Sequence, residues 1–146
     1  MNDMKVKLGN STLRNPVVLA AGTCGVLGEI ADAINLSTIG GITSKSITME
    51  PRVGNEPIRM LELPKGMINA IGLANGGIDA FIEHHAPKAT NIDTTVIGSV
   101  AGDTIANYVS VAQAMDQVEG IELVEINVSC PNTADGLEFG ACPTQL

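Results

Sequence analysis

The apolar positions of this chain fall into short runs, and the stretches between several of them carry apolar residues at helical spacing. Pro16-Val17-Val18-Leu19-Ala20-Ala21 is the first buried-strand candidate, followed by a glycine loop, Gly22 to Gly28, and a helix-like stretch from Glu29 to Leu36. Ile39 to Ser44 reads as a second strand, Ile78 to Ala89 as a helix with Phe81 and Ile82 on its inner face, and Thr95 to Val100 as a third strand. Asp103 is the expected cap of a helix running to about Val118, with Ile105, Val109, Ala112 and Met115 facing inward, before a fourth strand at Glu122 to Ile126. At the start, Lys5 to Leu8 and Thr12 to Arg14 flank the polar turn Gly9-Asn10-Ser11, which predicts a small β-hairpin acting as a lid or plug.

Strands alternating with helices imply a parallel sheet in one α/β domain. An open doubly wound sheet and the first half of an eight-stranded barrel both fit this order. The length suits the open sheet. The residues after strand four form a Gly- and Pro-containing loop with no covering helix, which suits a barrel whose second half is missing. The connection from Lys45 to Gly77 exceeds the roughly 12 to 15 residues usual for an unstructured loop in a compact domain. It follows the carboxyl end of strand two, where parallel α/β folds place their ligands, so a functional loop is expected.

Composition narrows the function. Sixteen acidic against eight basic side chains give a formal charge of -8, and only Phe81, Tyr108 and Phe139 are aromatic, a poor match to nucleic acid. No apolar run approaches the roughly 18 residues of a membrane span, and the start lacks a signal-peptide core; a cytoplasmic protein is expected. Cys24, Cys130 and Cys142 form no metal-type pair and are odd in number, so neither a zinc site nor a disulfide frame is indicated.

Several motifs resolve into ordinary structure. Gly22-x-x-Gly25-x-x-Gly28 departs from G-x-G-x-x-G, and no acidic residue ends the second strand to hold a ribose. Lys45-Ser46 lacks the preceding glycine of a phosphate loop, leaving a strand-end lysine that is either solvated or set beside a ligand. His84 and His85 point about 100° apart on a helix and read as a solvated face. Cys24 and Cys142 read as packing or loop residues. Cys130 differs in its company, Asn127-Val128-Ser129-Cys130-Pro131-Asn132. A thiol able to act as a base there stands between two amides suited to a flat, amide-rich ligand; the other reading is an ordinary turn with a buried cysteine.

Taken together, Asn15-Pro16 with Ala20 to Thr23, Thr43 to Thr48, Glu50-Pro51-Arg52-x-Gly54-Asn55, Gly66 to Leu73, and Asn127 to Asn132 resemble the dihydroorotate dehydrogenases of class 1, the cysteine-dependent type. The resemblance runs from the first hairpin to Gly140 and is greatest to the class 1B, NAD-linked catalytic subunits. It implies the amino-terminal half, about four βα units, of a (β/α)8 TIM barrel that binds FMN and oxidises dihydroorotate to orotate in pyrimidine biosynthesis.

On this chain the resemblance makes Cys130 the base that takes the proton from C5. Lys45 neutralises the substrate carboxylate and touches the flavin. Asn69, the backbone of Ala70, Ile71, Gly72 and Leu73, Asn127 and Asn132 hold the pyrimidine. Ala21, Gly22, Lys45, Ser46, Ser99 and Asn127 lie at FMN. Ser99 stands where the family commonly has the asparagine of N-V-A-G. The implied partners are the carboxyl-terminal half of the barrel, an iron-sulfur and FAD electron-transfer subunit, and further copies of the chain. Two other readings are kept. One is a dihydropyrimidine dehydrogenase-like FMN barrel, whose substrate has no carboxylate for Lys45; the other is a non-catalytic half-barrel that assembles with itself.

Overall fold

The computed structural model describes residues 4–129, 139–141 and 143. Strands β1 (Val6–Leu8) and β2 (Ser11–Leu13) form the expected antiparallel hairpin. The central sheet holds β3 (Val18–Leu19), β4 (Gly41–Thr43), β7 (Thr95–Val100) and β8 (Ile121–Ile126), all parallel and in the order β3-β4-β7-β8. Between β4 and β7 the chain adds an antiparallel hairpin, β5 (Met60–Leu63) with β6 (Gly66–Asn69).

That strand order separates the two architectures left open by the sequence. A doubly wound sheet reverses direction at a switch point, whereas here each successive parallel strand adds to the same side, as in a barrel. The apolar layer agrees. Ile42, Val96 and Val100 bury one sheet face against Leu27, Phe81, Val111 and Met115 from the connections. The opposite face carries Ser99, Glu125 and Asn127, with Ser46 above the end of β4. The chain is therefore a segment of a (β/α)8 barrel, with helices outside and a polar inner wall.

The connections depart from expectation in three places. In place of a helix over Glu29 to Leu36 there are two 3-10 turns, Glu29–Asp32 and Leu36–Thr38. The Asn35 carboxamide accepts hydrogen bonds from the backbone and hydroxyl of Ser37, competing with helical pairing. The helix expected to reach Ala89 stops early: α1 spans Gly77–His84 and a 3-10 segment, Ala86–Asn91, follows. Pro87 lacks the N–H that a continuing helix needs, and its ring clashes with the preceding turn. Ile82, expected inside, is exposed, while Phe81 is buried.

Helix α2 (Ile105–Asp116) is rotated from its expected setting. Tyr108, Val111 and Met115 are buried, and Ile105 and Val109 face out. Both stripes have helical spacing, so periodicity alone does not choose between them. The packing does: Met115, shared by both stripes, has its Cγ 2.5 Å from where a side chain on Gly98 would begin, and the Tyr108 hydroxyl, which donates to the Asn127 carbonyl at 2.7 Å, turns the helix to its own side. The cap is Thr104, whose hydroxyl accepts from Asn107 N at 3.1 Å, not Asp103. Asp103 instead pairs with Arg52 at 2.9 Å, tying the long connection to the loop after β7.

That connection is anchored at both ends. Ile47 bridges to Val100, and Arg52 to Asn75. The Asn75 side chain receives the Thr48 and Gly77 N–H groups and donates to the Leu73 carbonyl and the Thr48 hydroxyl. Replacing it by alanine strands several part-buried groups, each worth about 1–3 kcal/mol when unpaired. Asn75→Ala is expected to lower stability by roughly 2–3 kcal/mol in denaturant titration.

His85 corrects the reading of a solvated pair. His84 is exposed, but the His85 ring stacks on Phe81 and its Nδ1 is buried, 3.7 Å from Glu29 Oε1, too far for a hydrogen bond. Burial lowers the His85 pKa below its ordinary value of 6.5, and Lys88 lowers it further, against an opposing pull from Glu29. A lowered folded-state value means the unfolded chain binds the proton more readily. The contribution of His85 is therefore whole above pH 6.5 and is lost as pH falls from there towards the folded-state value. Thermal unfolding between pH 8 and 5.5 should show a smaller acid loss in His85→Gln than in the parent.

Candidate active site at the carboxyl ends of the strands

The ends of β3, β4, β7 and β8 open on one rim, where barrel enzymes place their chemistry. β3 leads into the glycine loop, which sits against the end of β4: Lys45 N donates to the Val26 carbonyl at 2.9 Å. Gly22 has φ +79°, and a Cβ built there would lie 3.5 Å from Lys45 Cδ and Nζ. The lysine side chain thus lies along a bare stretch of backbone. A larger residue at position 22 would be strained by the positive φ, with its Cβ in ordinary contact with the lysine. Ala21 is half-buried beside this glycine, and Cys24, two residues beyond it, is 1% exposed in the core, as its packing role predicts.

Beyond Lys45, the chain places Ser46 against the neighbouring strands. Its hydroxyl is 2.9 Å from Ser99 Oγ and receives an N–H from Asn127 Nδ2 at 2.9 Å. Ser99, fully buried, donates to Glu125 Oε1 at 2.9 Å, and its own N–H donates to Ser44 Oγ. Asn127 is held a second way, its N–H on the Val100 carbonyl at 2.8 Å, and its Oδ1 accepts from Ser129 N at 3.2 Å.

The predicted site residues therefore form two adjoining groups, Gly22 with Lys45 and Ser46 with Ser99 and Asn127. Asn69 ends β6 on an exposed face, and its carboxamide has no hydrogen bond among the described residues. The segment after it is firmly held: Ala70 N donates to the Arg59 carbonyl, and Asn55 takes the carbonyls of Ala70 and Ile71. Gly72 and Leu73 are buried. Cys130, Pro131, Asn132 and Cys142 lie outside the described residues.

Sequence reasoning missed Glu125 and Tyr108. Glu122 and Glu125 bracket the apolar pair Leu123-Val124, which disguises Glu125 as a second solvent-facing acid. A signal was present in Glu125 and Asn127, two apart and hence on one strand face.

Chemically, the rim offers an ammonium, a carboxamide held by its backbone and its side chain, and buried hydroxyls. Such a set suits a flat anion rich in amide groups. Among the described residues no three His, Cys, Asp or Glu side chains gather as a metal site would require, and no helix is long and apolar enough to cross a membrane.

Sequential parallel strands, one-sided helices and a polar rim define half of a barrel of the (β/α)8 class. The family profile described as dihydroorotate dehydrogenase matches residues 3–144, and the chain belongs to that family. It is 44% identical over 142 residues to the catalytic subunit of dihydroorotate dehydrogenase B (NAD(+)) of Geobacter sp. (strain M21), covering 97% of this chain and 47% of that protein. It is 43% identical over 141 residues to the corresponding subunit of Parabacteroides distasonis, covering 96% and 46%. The chain thus spans about half the length of these relatives. The crystal structure of DHODH in complex with ferulenol from Eimeria tenella shares the fold, with a TM-score of 0.70 at 21% identity over 92% of this chain and 39% of that one.

Proposed function

We propose that this chain forms the amino-terminal half of an FMN-dependent dihydroorotate dehydrogenase and, joined to the second half of its barrel, oxidises dihydroorotate to orotate for pyrimidine synthesis. The observation that carries the reading is the pairing of a cation laid against bare glycine backbone, Lys45 on Gly22, with the anchored carboxamide of Asn127 on the same rim. Dihydroorotate is a planar-edged diamide with a carboxylate, the complement of that set.

FMN fits the residues present. The bare backbone at Gly22 would leave a flat ring room beside Lys45, and Ala21, Ser46, Ser99 and Asn127 would be the residues to hold it. A phosphate in such barrels is commonly gripped after strands seven and eight, which this unit does not include. A bound flavin supplies a hydride acceptor for C6 of the substrate. The chain's own residues do the rest. The Cys130 thiolate takes the C5 proton, Lys45 balances the carboxylate, and Asn69, Asn127, Asn132 and the backbone from Ala70 to Leu73 orient the ring. Exclusion of water strengthens the Lys45 attraction.

The relatives' designation as catalytic subunits supports a separate electron-transfer subunit carrying iron-sulfur and FAD groups that passes electrons to NAD. The outer strands β3 and β8 support association with the missing half or with further copies. The protein acts in the cytoplasm.

The test is to join this chain to the second half of a related barrel, load FMN, and supply dihydroorotate or dihydrouracil. Turnover of dihydroorotate with little of dihydrouracil is expected. Preference for dihydrouracil would instead select the dihydropyrimidine dehydrogenase-like reading, and a colourless assembly that never takes up FMN would select the non-catalytic one.

A further inference from the structure

Four side chains cross three strand ends in a single hydrogen-bonded line: Asn127 Nδ2, Ser46 Oγ, Ser99 Oγ and Glu125 Oε1, each 2.9 Å from the next. The ends of this line fix its direction. An amide nitrogen only donates, and an ionised carboxylate only accepts. The Ser46 hydroxyl accepts from Asn127 and so gives its proton to Ser99, and the Ser99 hydroxyl gives its proton to Glu125. Both serines are buried, at 4% and 0% exposure, so water does not readily reach the two hydroxyls, whereas Glu125 closes the line from its exposed end. The alternation along β8 sets Glu125 and Asn127 on the inner face, while Val124 and Val128 join the outer apolar layer.

We propose that Glu125 is a positioning residue for Asn127. Acting through Ser99 and Ser46, its carboxylate holds the Asn127 carboxamide in one of its two flipped orientations, with one N–H committed to Ser46 and the second offered to the ligand. The Ser129 N–H on Asn127 Oδ1 favours the same orientation, but a neutral hydroxyl pair alone does not impose it, because each serine both donates and accepts. With Glu125 ionised, only one arrangement of protons satisfies every group. Ser99 acquires a role here through its two partners.

The inference rests on Asn127 serving the ligand, as proposed above, and its test is read without substrate. In the complete barrel protein with selectively 15N-labelled asparagine, the Asn127 side-chain NH2 should exchange with solvent at least about tenfold faster in Glu125→Ala and in Ser99→Ala. Glu125→Gln and Ser99→Thr, which keep an acceptor and a hydroxyl, should stay near the parent rate. A neutron structure of the unsubstituted protein should find the Ser46 proton on the line to Ser99 and the Ser99 proton on the line to Glu125. Unchanged exchange in both alanine variants, or hydroxyl protons pointing the other way, would overturn the assignment. Neither readout depends on the protein oxidising dihydroorotate, so failure of that activity is scored separately. If it holds, the KM for dihydroorotate should rise about tenfold in Glu125→Ala and return in Glu125→Gln.

Discussion

Cys130→Ala in the complete, FMN-loaded barrel is expected to slow dihydroorotate oxidation by about 100- to 10,000-fold, the range that a positioned general base contributes. Flavin content should be unchanged, because the thiol is assigned to the substrate. The reason is chemical: C5 of dihydroorotate releases its proton only to a base within hydrogen-bond reach, and a thiol with a free pKa near 8.5 supplies one at modest alkalinity. The parent enzyme should therefore gain kcat/KM as pH rises towards the thiol's ionisation, and the residual rate of the alanine variant should lose that limb. Full activity in the variant would remove Cys130 from the mechanism.

Lys45→Met should lower kcat/KM for dihydroorotate on the order of 30- to 4,000-fold, corresponding to loss of one member of a desolvated charge pair at about 2–5 kcal/mol. Methionine keeps much of the apolar stem that lies along Gly22, so the fold of the rim is preserved while the charge is lost. Orotate, which carries the same carboxylate, should bind less tightly by a similar factor, whereas a neutral pyrimidine should bind equally to parent and variant. Equal losses for the neutral and the anionic ligand would show that Lys45 holds the site together in some other way.

The strands of the half-barrel were readable where burial is uniform. Thr95 to Val100 is buried along its whole length, and the observed β7 has the same bounds as the expected strand. The helices were less so. A stripe at Ile105 and Val109 and one at Tyr108 and Val111 satisfy the same period and share Met115, and the choice depends on Tyr108 reaching the Asn127 carbonyl, a contact between elements. Pro87 was a readable stop signal for α1 that the apolar spacing of the segment outweighed.

Within the site, Lys45, Ser46 and Asn127 were legible through the motifs that contain them. The link from Asn127 to Glu125 was not, because it runs through Ser46 and Ser99, more than fifty residues apart in sequence and joined only by the register of β4, β7 and β8.

A crystal structure of the complete protein with FMN and orotate bears most directly on the central claim. The account predicts the Cys130 sulfur at roughly 3–3.5 Å from C5 of orotate, a near-attack separation, with the Lys45 ammonium on the carboxylate and the Asn127 amide on the ring edge. Orotate bound elsewhere, or Cys130 turned to the opposite rim from Lys45, would contradict it.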